Sequence, residues 1–323
     1  MAVFKLKIIV HPSRVDFRHW IRILLISLIL FSQTGHTDEC PIPDLSETDA
    51  VAGWQFLSSI NVSGVFDQAV YLNHGQYQGQ AWPDSHSRPE LKLWPELFAT
   101  GDLDGQAGDE FVGLLSETSG GSGERVYLVA AQMAGNSKQA WPAALLGDRV
   151  KLRALWIRDR QIMLDVMEAS PDQPLCCGTE LNRQIWRLDN DKLSLMEKQH
   201  QGQLSIQSWA GARWYLLDRP GDRLQAVHPS CTYLSVEGNQ IVFEVSGRRY
   251  LGKLTEHTPG RINISDIVSD EAGSNNAMAL PQASLLKQLA SVSQYSFRAG
   301  RLLLVGFENQ QVLSFEFAIM PVE

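Results

Sequence analysis

Pro281-Gln-Ala-Ser-Leu285-Leu-Lys-Gln-Leu289-Ala-Ser-Val292 runs on through Ser293-Gln294 into Tyr295-Ser-Phe297, Ala299-Gly300, Arg301-Leu-Leu-Leu-Val305 and Val312-Leu-Ser-Phe-Glu-Phe317. Leu285, Leu286, Leu289 and Val292 stand at i, i+1, i+4 and i+7, the spacing of one helix face, and Pro281 sits near the first turn, where its missing N–H is not needed. The alternating and apolar runs after it read as strands. Ala299-Gly300 turns the first pair, and the polar Glu308-Asn-Gln-Gln311 turns the second. A helix feeding directly into a β-hairpin sets the C-terminal part as α+β.

Working back from there, Trp214-Tyr-Leu-Leu217, Tyr233–Val236, Gln240–Val245 and Arg261–Ile264 read as further strands, with a turn at Pro220-Gly221 and a polar loop from Ser269 to Met278. From about Val51 to Gln199 the pattern is a meander of short strands. The candidates are Ala69–Leu72, Glu110–Leu115, Arg125–Ala131, Val150–Ile157, Gln161–Val166, Arg183–Leu188 and Lys192–Met196. Gly, Asp and Asn turns such as Arg158-Asp-Arg160 and Asp189-Asn-Asp191 separate them. No stretch here keeps a helical period over more than three turns. The polar Gln199–Gly202 marks a boundary, giving a mainly β chain of two β-rich domains, 38–202 and 203–323, after a leader at 1–37.

The chain carries 28 Lys and Arg against 36 Asp and Glu. Five of the basic residues, Lys5, Lys7, Arg14, Arg18 and Arg22, precede the apolar run Ile23–Phe31, and without that segment the net charge is roughly −12. Such a surface repels phosphate backbones, which argues against a nucleic-acid partner. A basic segment, a nine-residue apolar run and a polar stretch with small residues have the order of a signal peptide. The apolar run is too short to span a bilayer, which needs about 20 residues as helix. The expectation is export to the periplasm or cell envelope, with no transmembrane span in the mature chain. The alternative is an uncleaved N-terminal anchor in the inner membrane. Thr37-Asp-Glu before Cys40 is unlike a lipidation signal, which wants small and apolar residues there. Cys40, Cys176, Cys177 and Cys231 all follow the leader, and their even number suits disulfides in an oxidising compartment, with three pairings open. A structural metal site lacks support, because there is no CxxC and no histidine at ligand spacing.

Residues 204–318 resemble the META domain (HslJ-like) family. The resemblance rests on Trp209-Ala-Gly-Ala-Arg-Trp214-Tyr-Leu-Leu217 for the opening, Ser246-Gly-Arg-Arg-Tyr250-Leu-Gly252 for the central motif, Ile262-Asn-Ile-Ser-Asp-Ile267, and the helix and hairpin quoted above. It implies a sheet or partial barrel with one helix before a C-terminal hairpin, and a role in envelope stress. Gly247 and Arg248 replace the family's cysteine and asparagine, and its second cysteine is missing from Ser269–Met278. The family's probable disulfide is therefore lost as a pair, and Cys231 matches neither position. The N-terminal block is similar to an uncharacterised domain of exported bacterial proteins. The matching residues are Gly101-Asp-Leu-Asp-Gly105, Ser119-Gly-Gly-Ser-Gly123, Leu146-Gly-Asp-Arg149 and Pro171-Asp-Gln-Pro-Leu-Cys-Cys177. That resemblance implies a fold and no activity.

Asp102, Asp104, Asp109 and Glu110 form the candidate metal site. Carboxylates spaced around Gly101, Gly105 and Gly108 can wrap oxygen ligands about Ca²⁺, but Gln106 and Ala107 interrupt the pattern and the EF-hand spacing is absent. The plain reading is an acidic turn before a strand, with no cofactor. Gly120-Gly-Ser-Gly123 lacks both the strand-to-helix context of a hydrolase elbow and the Lys-Ser/Thr of a phosphate loop, so it reads as a hairpin tip. His74, His86, His200, His228 and His257 are scattered on turns and nominate no triad. Most tryptophans lie in apolar runs suited to a core. Trp82, Trp94 and Trp141, each before a proline, could instead build a surface platform for a sugar or a protein. The expectation is a non-catalytic binding protein whose partner is a protein or envelope component. An assembly role in secretion and a hydrolase with a site built from separate loops are the alternatives.

Overall fold

The computed structural model describes residues 47–83, 86–106, 108–134, 136–175, 178–210, 212–216, 232–245, 247–270, 280–308 and 311–319. All of them fall in one compact unit, Cys40–Glu323. Mainly β is the class observed, and no described helix is long and apolar enough to cross a membrane. The leader and all four cysteines lie outside the described residues.

The described residues open on helix α1, Glu47–Leu57, where the sequence pattern suggests only strands. Its buried side is short. Leu57 is fully buried, Phe56 stacks on Phe111 with ring centroids 4.4 Å apart, and Gly53 lies so close to Phe98 that a Cβ there would come within 2.9 Å of it. A helix held by a glycine contact and two rings leaves little periodic signal.

Short strands β1 (Asn61–Val62) and β2 (Val70–Tyr71) pair with each other. Then come β3 (Gln76–Gln78), β4 (Glu90–Leu93), β5 (Ala99–Gly101), β6 (Glu110–Thr118), β7 (Arg125–Ala134), β8 (Ser137–Ala140) and β9 (Ala144–Asp148). They form one antiparallel sheet in the order β3-β4-β6-β7-β8, with β5 also on β6 and β9 also on β7. Strands β10 (Lys151–Arg158), β11 (Gln161–Glu168), β12 (Glu180–Asp189) and β13 (Lys192–Gln203) make a four-stranded meander. Its hairpins turn through Asp159-Arg160 (φ 52° and 59°) and Asn190-Asp191 (φ 48° and 60°). Two left-handed residues in a two-residue loop match the twist of the strands they join.

Val112, Leu114, Val126 and Leu128 of the large sheet meet Leu152, Leu155, Ile162, Leu164, Val166 and Trp186 of the meander in one core. On the large sheet's other face, Leu91, Leu93, Leu115 and Val129 pack with Leu57, Ile60, Val62 and Leu72. Being covered on both sides, β6 is almost continuously buried.

The C-terminal part is a closed barrel, where the family resemblance led us to expect a sheet or partial barrel. Its strands are β14 (Trp214–Leu216), β15 (Thr232–Glu237), β16 (Gln240–Val245), β17 (Arg248–Thr258), β18 (Arg261–Ser269), β19 (Val292–Arg298), β20 (Arg301–Glu308) and β21 (Gln311–Ile319), with α2 (Leu280–Ala290) between β18 and β19. Closure comes from β21 pairing with β14, Trp214 opposite Ile319 and Leu216 opposite Phe317. Between β18 and β19 only Arg261 and Gln294 are paired. Leu285, Leu286 and Leu289 of α2 join the barrel core as their spacing implies. Val292 differs from expectation: it begins β19, although it is buried in the same core. The β19–β20 turn at Ala299-Gly300 has φ of 48° and 78°, and glycine takes the second position without strain.

The polar stretch 199–202, where the sequence places the domain boundary, lies in the last paired stretch of β13, which ends at Gln203. Around it the meander and the barrel share contacts. Met167 and Leu181 join the barrel core beside Leu204, and the Gly300 N–H donates to Leu152 O at 3.0 Å.

Candidate functional site

The acidic turn lies between β5 and β6. Oxygen atoms of Asp102, Asp104 and Glu110 all lie within 4.8 Å of one another, whereas exposed Asp109 is not part of the group. Strand alternation explains the split: Glu110 begins β6 pointing inward, and its neighbour points away. The turn is held by its own backbone. Gly105 N–H donates to Asp102 Oδ1 (2.5 Å), Gln106 N–H to Asp104 Oδ1 (2.8 Å), and Leu103 N–H to Glu110 Oε2 (2.5 Å). Arg160, from the β10–β11 turn, brings Nε to 3.3 Å from Asp102 Oδ2. The protein thus sets its own guanidinium against the carboxylates that a calcium ion would use.

Glu110 is 2% exposed. Burial is the main cause that pushes its carboxyl above the usual range. The charges of Asp104 and Asp102 add to this, and the N–H groups of Leu103 and Asp104 oppose it. A raised carboxyl favours the folded state while it is protonated, so its contribution is lost as pH rises above about 4.5 through the folded value. Glu110→Gln keeps an oxygen for the Leu103 N–H and removes the buried charge. It is expected to raise the melting temperature at pH 7 and to flatten the decline between pH 4.5 and neutrality; a melting temperature below wild type at pH 7 would contradict this. Millimolar Ca²⁺ is expected to leave wild-type melting unchanged, because Arg160 already neutralises Asp102. A rise of several degrees that Glu110→Gln abolishes would mean that the cation displaces it.

The other sequence candidates are dispersed. Gly120–Gly123 form the exposed tip between β6 and β7. His74, His86 and His257 are exposed, and His228 lies outside the described residues. His200 sits on β13, with Nδ1 at 3.4 Å from Asn182 Oδ1 and 3.6 Å from Glu180 Oε2. Trp94, Trp141 and Trp82 do not form one platform: Trp141 is 3% exposed with Nε1 donating to Asp191 Oδ1 at 3.3 Å, and Trp94 packs against the core. Trp82 alone of the three stands out, 51% exposed, on the hairpin that continues β3 and β4.

Beside that hairpin lies a groove of about 340 Å³ that sequence reading missed. Two rungs of side chains form its floor: Gln76, Lys92 and Ser116 opposite one another, then Gln78, Glu90 and Thr118. Cross-strand partners share a face. Further along β6 and β7 the same face carries Val112, Leu114, Val126 and Leu128 against the meander. Glu124, just before β7, completes the lining. Ser116 Oγ donates to Lys92 O at 3.4 Å. Among the described residues, the side chains of Gln76, Gln78, Glu90, Lys92, Thr118 and Glu124 have no hydrogen-bond or ion-pair partner. The polar alternation of Gln76-Tyr-Gln78, Glu90-Leu-Lys92 and Ser116-Glu-Thr118 is visible in the sequence, but not the pairing that makes them one surface.

A second concavity, of about 410 Å³, lies between α2 and β17–β18, lined largely by apolar side chains including Tyr250, Ile267, Ala283 and Leu286. Residues 271–279, which precede α2, lie outside the described residues. No family model, no curated protein and no solved structure matches this chain.

Proposed function

We propose that this is an exported envelope protein that works by binding rather than by catalysis, with a META-like C-terminal barrel and a ligand site on the N-terminal sheet. The observation that carries the reading is the polar groove over β3, β4 and β6. Among the described residues, six of its side chains have no intramolecular hydrogen-bond or ion-pair partner around one concavity. Polar groups that converge on one concavity are what fixes the orientation of a bound ligand and gives it specificity. Export rests on the basic and apolar leader, and the acidic remainder disfavours nucleic acid. The stress role rests on the family resemblance alone, and fold does not fix function.

The test immobilises the chain from residue 38 onward and passes envelope extract over it. A specific envelope component is expected to be retained, and less of it by a chain carrying Gln78→Ala and Glu90→Ala. Retention of nothing at any salt concentration would defeat the binding reading.

A further inference from the structure

We propose that the groove over β3, β4 and β6 takes an uncharged carbohydrate chain; this rests on the binding reading above and names its ligand class. The lining supplies two amides (Gln76, Gln78), two hydroxyls (Ser116, Thr118), two carboxylates (Glu90, Glu124) and one ammonium (Lys92). Amides and hydroxyls both donate and accept, carboxylates accept, and the ammonium donates. A sugar ring presents several hydroxyls, each of which also donates and accepts, at close spacing around an apolar ring. Neighbouring strands place the groove's groups about 4.8 Å apart across the sheet, and alternate residues lie roughly 7 Å apart along it. Adjacent hydroxyls of one sugar can thus meet different side chains, and successive sugars can meet successive rungs.

Other ligand classes fit less well. One lysine against two glutamates gives a net charge of −1, which does not suit phosphate, sulfate or nucleic acid. The floor is a sheet face whose central strand β4 is hydrogen-bonded on both sides, so strand addition by a peptide is left only the three-residue edge strand β3. Tyr77 and Leu91 also border the groove, but alternation turns their side chains to the opposite face, where they pack in the α1-side core, so the floor has no deep apolar pocket for an acyl chain. Trp82 lies outside the groove lining, on the hairpin that continues β3 and β4, and is an exposed aromatic ring of the kind a saccharide stacks on. Half-exposed on the hairpin that leads out of the groove, it offers a ring face to sugar C–H groups while polar groups hold the hydroxyls.

The experiment uses the full chain from residue 38 on a panel of neutral oligosaccharides (glucose-, N-acetylglucosamine- and galactose-based), with heparin as the charged control. Binding of at least one neutral oligosaccharide is expected, insensitive to salt between 50 and 500 mM, because no charge neutralisation is involved. Gln78→Ala, Glu90→Gln and Trp82→Ala are each expected to weaken it at least tenfold with unchanged melting temperatures, while Tyr215→Ala on the barrel leaves it intact. Binding of heparin alone, binding unaffected by all three groove variants, or no oligosaccharide binding at millimolar concentration would overturn the assignment. A chain that retains an envelope protein but no oligosaccharide loses the carbohydrate ligand and keeps the binding role; one that retains neither loses both.

Discussion

Trp214→Ala is expected to remove about 4–5 kcal/mol of stability, the largest effect of any single truncation in the barrel. The Trp214 side chain is fully buried, and its ring centroid lies 5.7 Å from that of Phe297. Truncating a large buried aromatic costs about 3–5 kcal/mol through lost transfer energy and the cavity left behind. A second loss adds to this. Trp214 Nε1 donates to Trp209 O at 2.9 Å, and that carbonyl belongs to another fully buried residue whose ring packs 5.3 Å from that of Tyr295. Leaving a buried carbonyl without its donor costs about 1–3 kcal/mol, unless water enters the cavity. Position matters as well, since Trp214 begins the strand on which β21 closes the barrel. Single domains hold only about 5–15 kcal/mol in total, so the variant should be close to unfolding at ambient temperature. Tyr215→Ala on the same strand is the control. Tyr215 is half-buried on the outside, 5.4 Å from the ring of Tyr233, and its loss should cost no more than about 1.5 kcal/mol. Urea unfolding of both variants decides the matter, and a loss below about 2 kcal/mol for Trp214→Ala would show that the core refills the space.

Helix α2, between β18 and β19, was legible because Leu285 and Leu289 repeat at helical spacing and both enter the core. Val292 was misplaced for an instructive reason. The helix stops at Ala290, yet the first residue of β19 still points into the same core, so the apolar period outlasts the helix. Edge strands deceive in the opposite way. Most of β13 is exposed beyond Leu193, and its polar end at Gln199–Gly202 has the composition of a linker. Barrel closure was not legible at all, because β14 and β21 meet across about a hundred residues and nothing local encodes their pairing.

The sites divide along the same line. Three of the four acidic candidates come together because one short turn holds them. Asp109 and Glu110 are adjacent in sequence and part company at the start of β6. The groove needed long-range register. Strands β4 and β5 both pair antiparallel with β6, at Leu93–Leu115 and Ala99–Val112, so after residues 94–98 the chain carries on along the same edge of β6 instead of moving to a new place in the sheet. Two polar rungs on three strands carry no signal until that pairing is known.

The second large effect is expected at Asp165, where the meander meets the barrel. Its carboxylate, on an almost buried side chain, accepts from Arg183 Nε at 2.8 Å, Arg183 Nη2 at 3.1 Å and Arg153 Nη1 at 3.1 Å. Both guanidiniums are also placed against rings: Arg183 lies 4.9 Å from the centroid of Trp156 and Arg153 5.8 Å from that of Phe297 in β19. Removing the anion leaves two cations side by side. Breaking a fully buried pair in this way costs about 3–5 kcal/mol. Here each arginine side chain keeps about a third of its exposure, so water recovers part of the loss. Asp165→Leu should therefore cost about 2–3 kcal/mol, and Asp165→Asn nearly as much, because its amide N–H₂ faces donors. The strain comes from unpaired charge rather than from a missing attraction, which a further replacement distinguishes. Arg153→Met and Arg183→Met combined with Asp165→Leu should recover most of the stability, since buried ion pairs replaced by apolar groups of similar size are often neutral. If the triple variant is instead as unstable as Asp165→Leu, the arginine stems and their ring contacts, rather than the orphaned charges, hold this joint together.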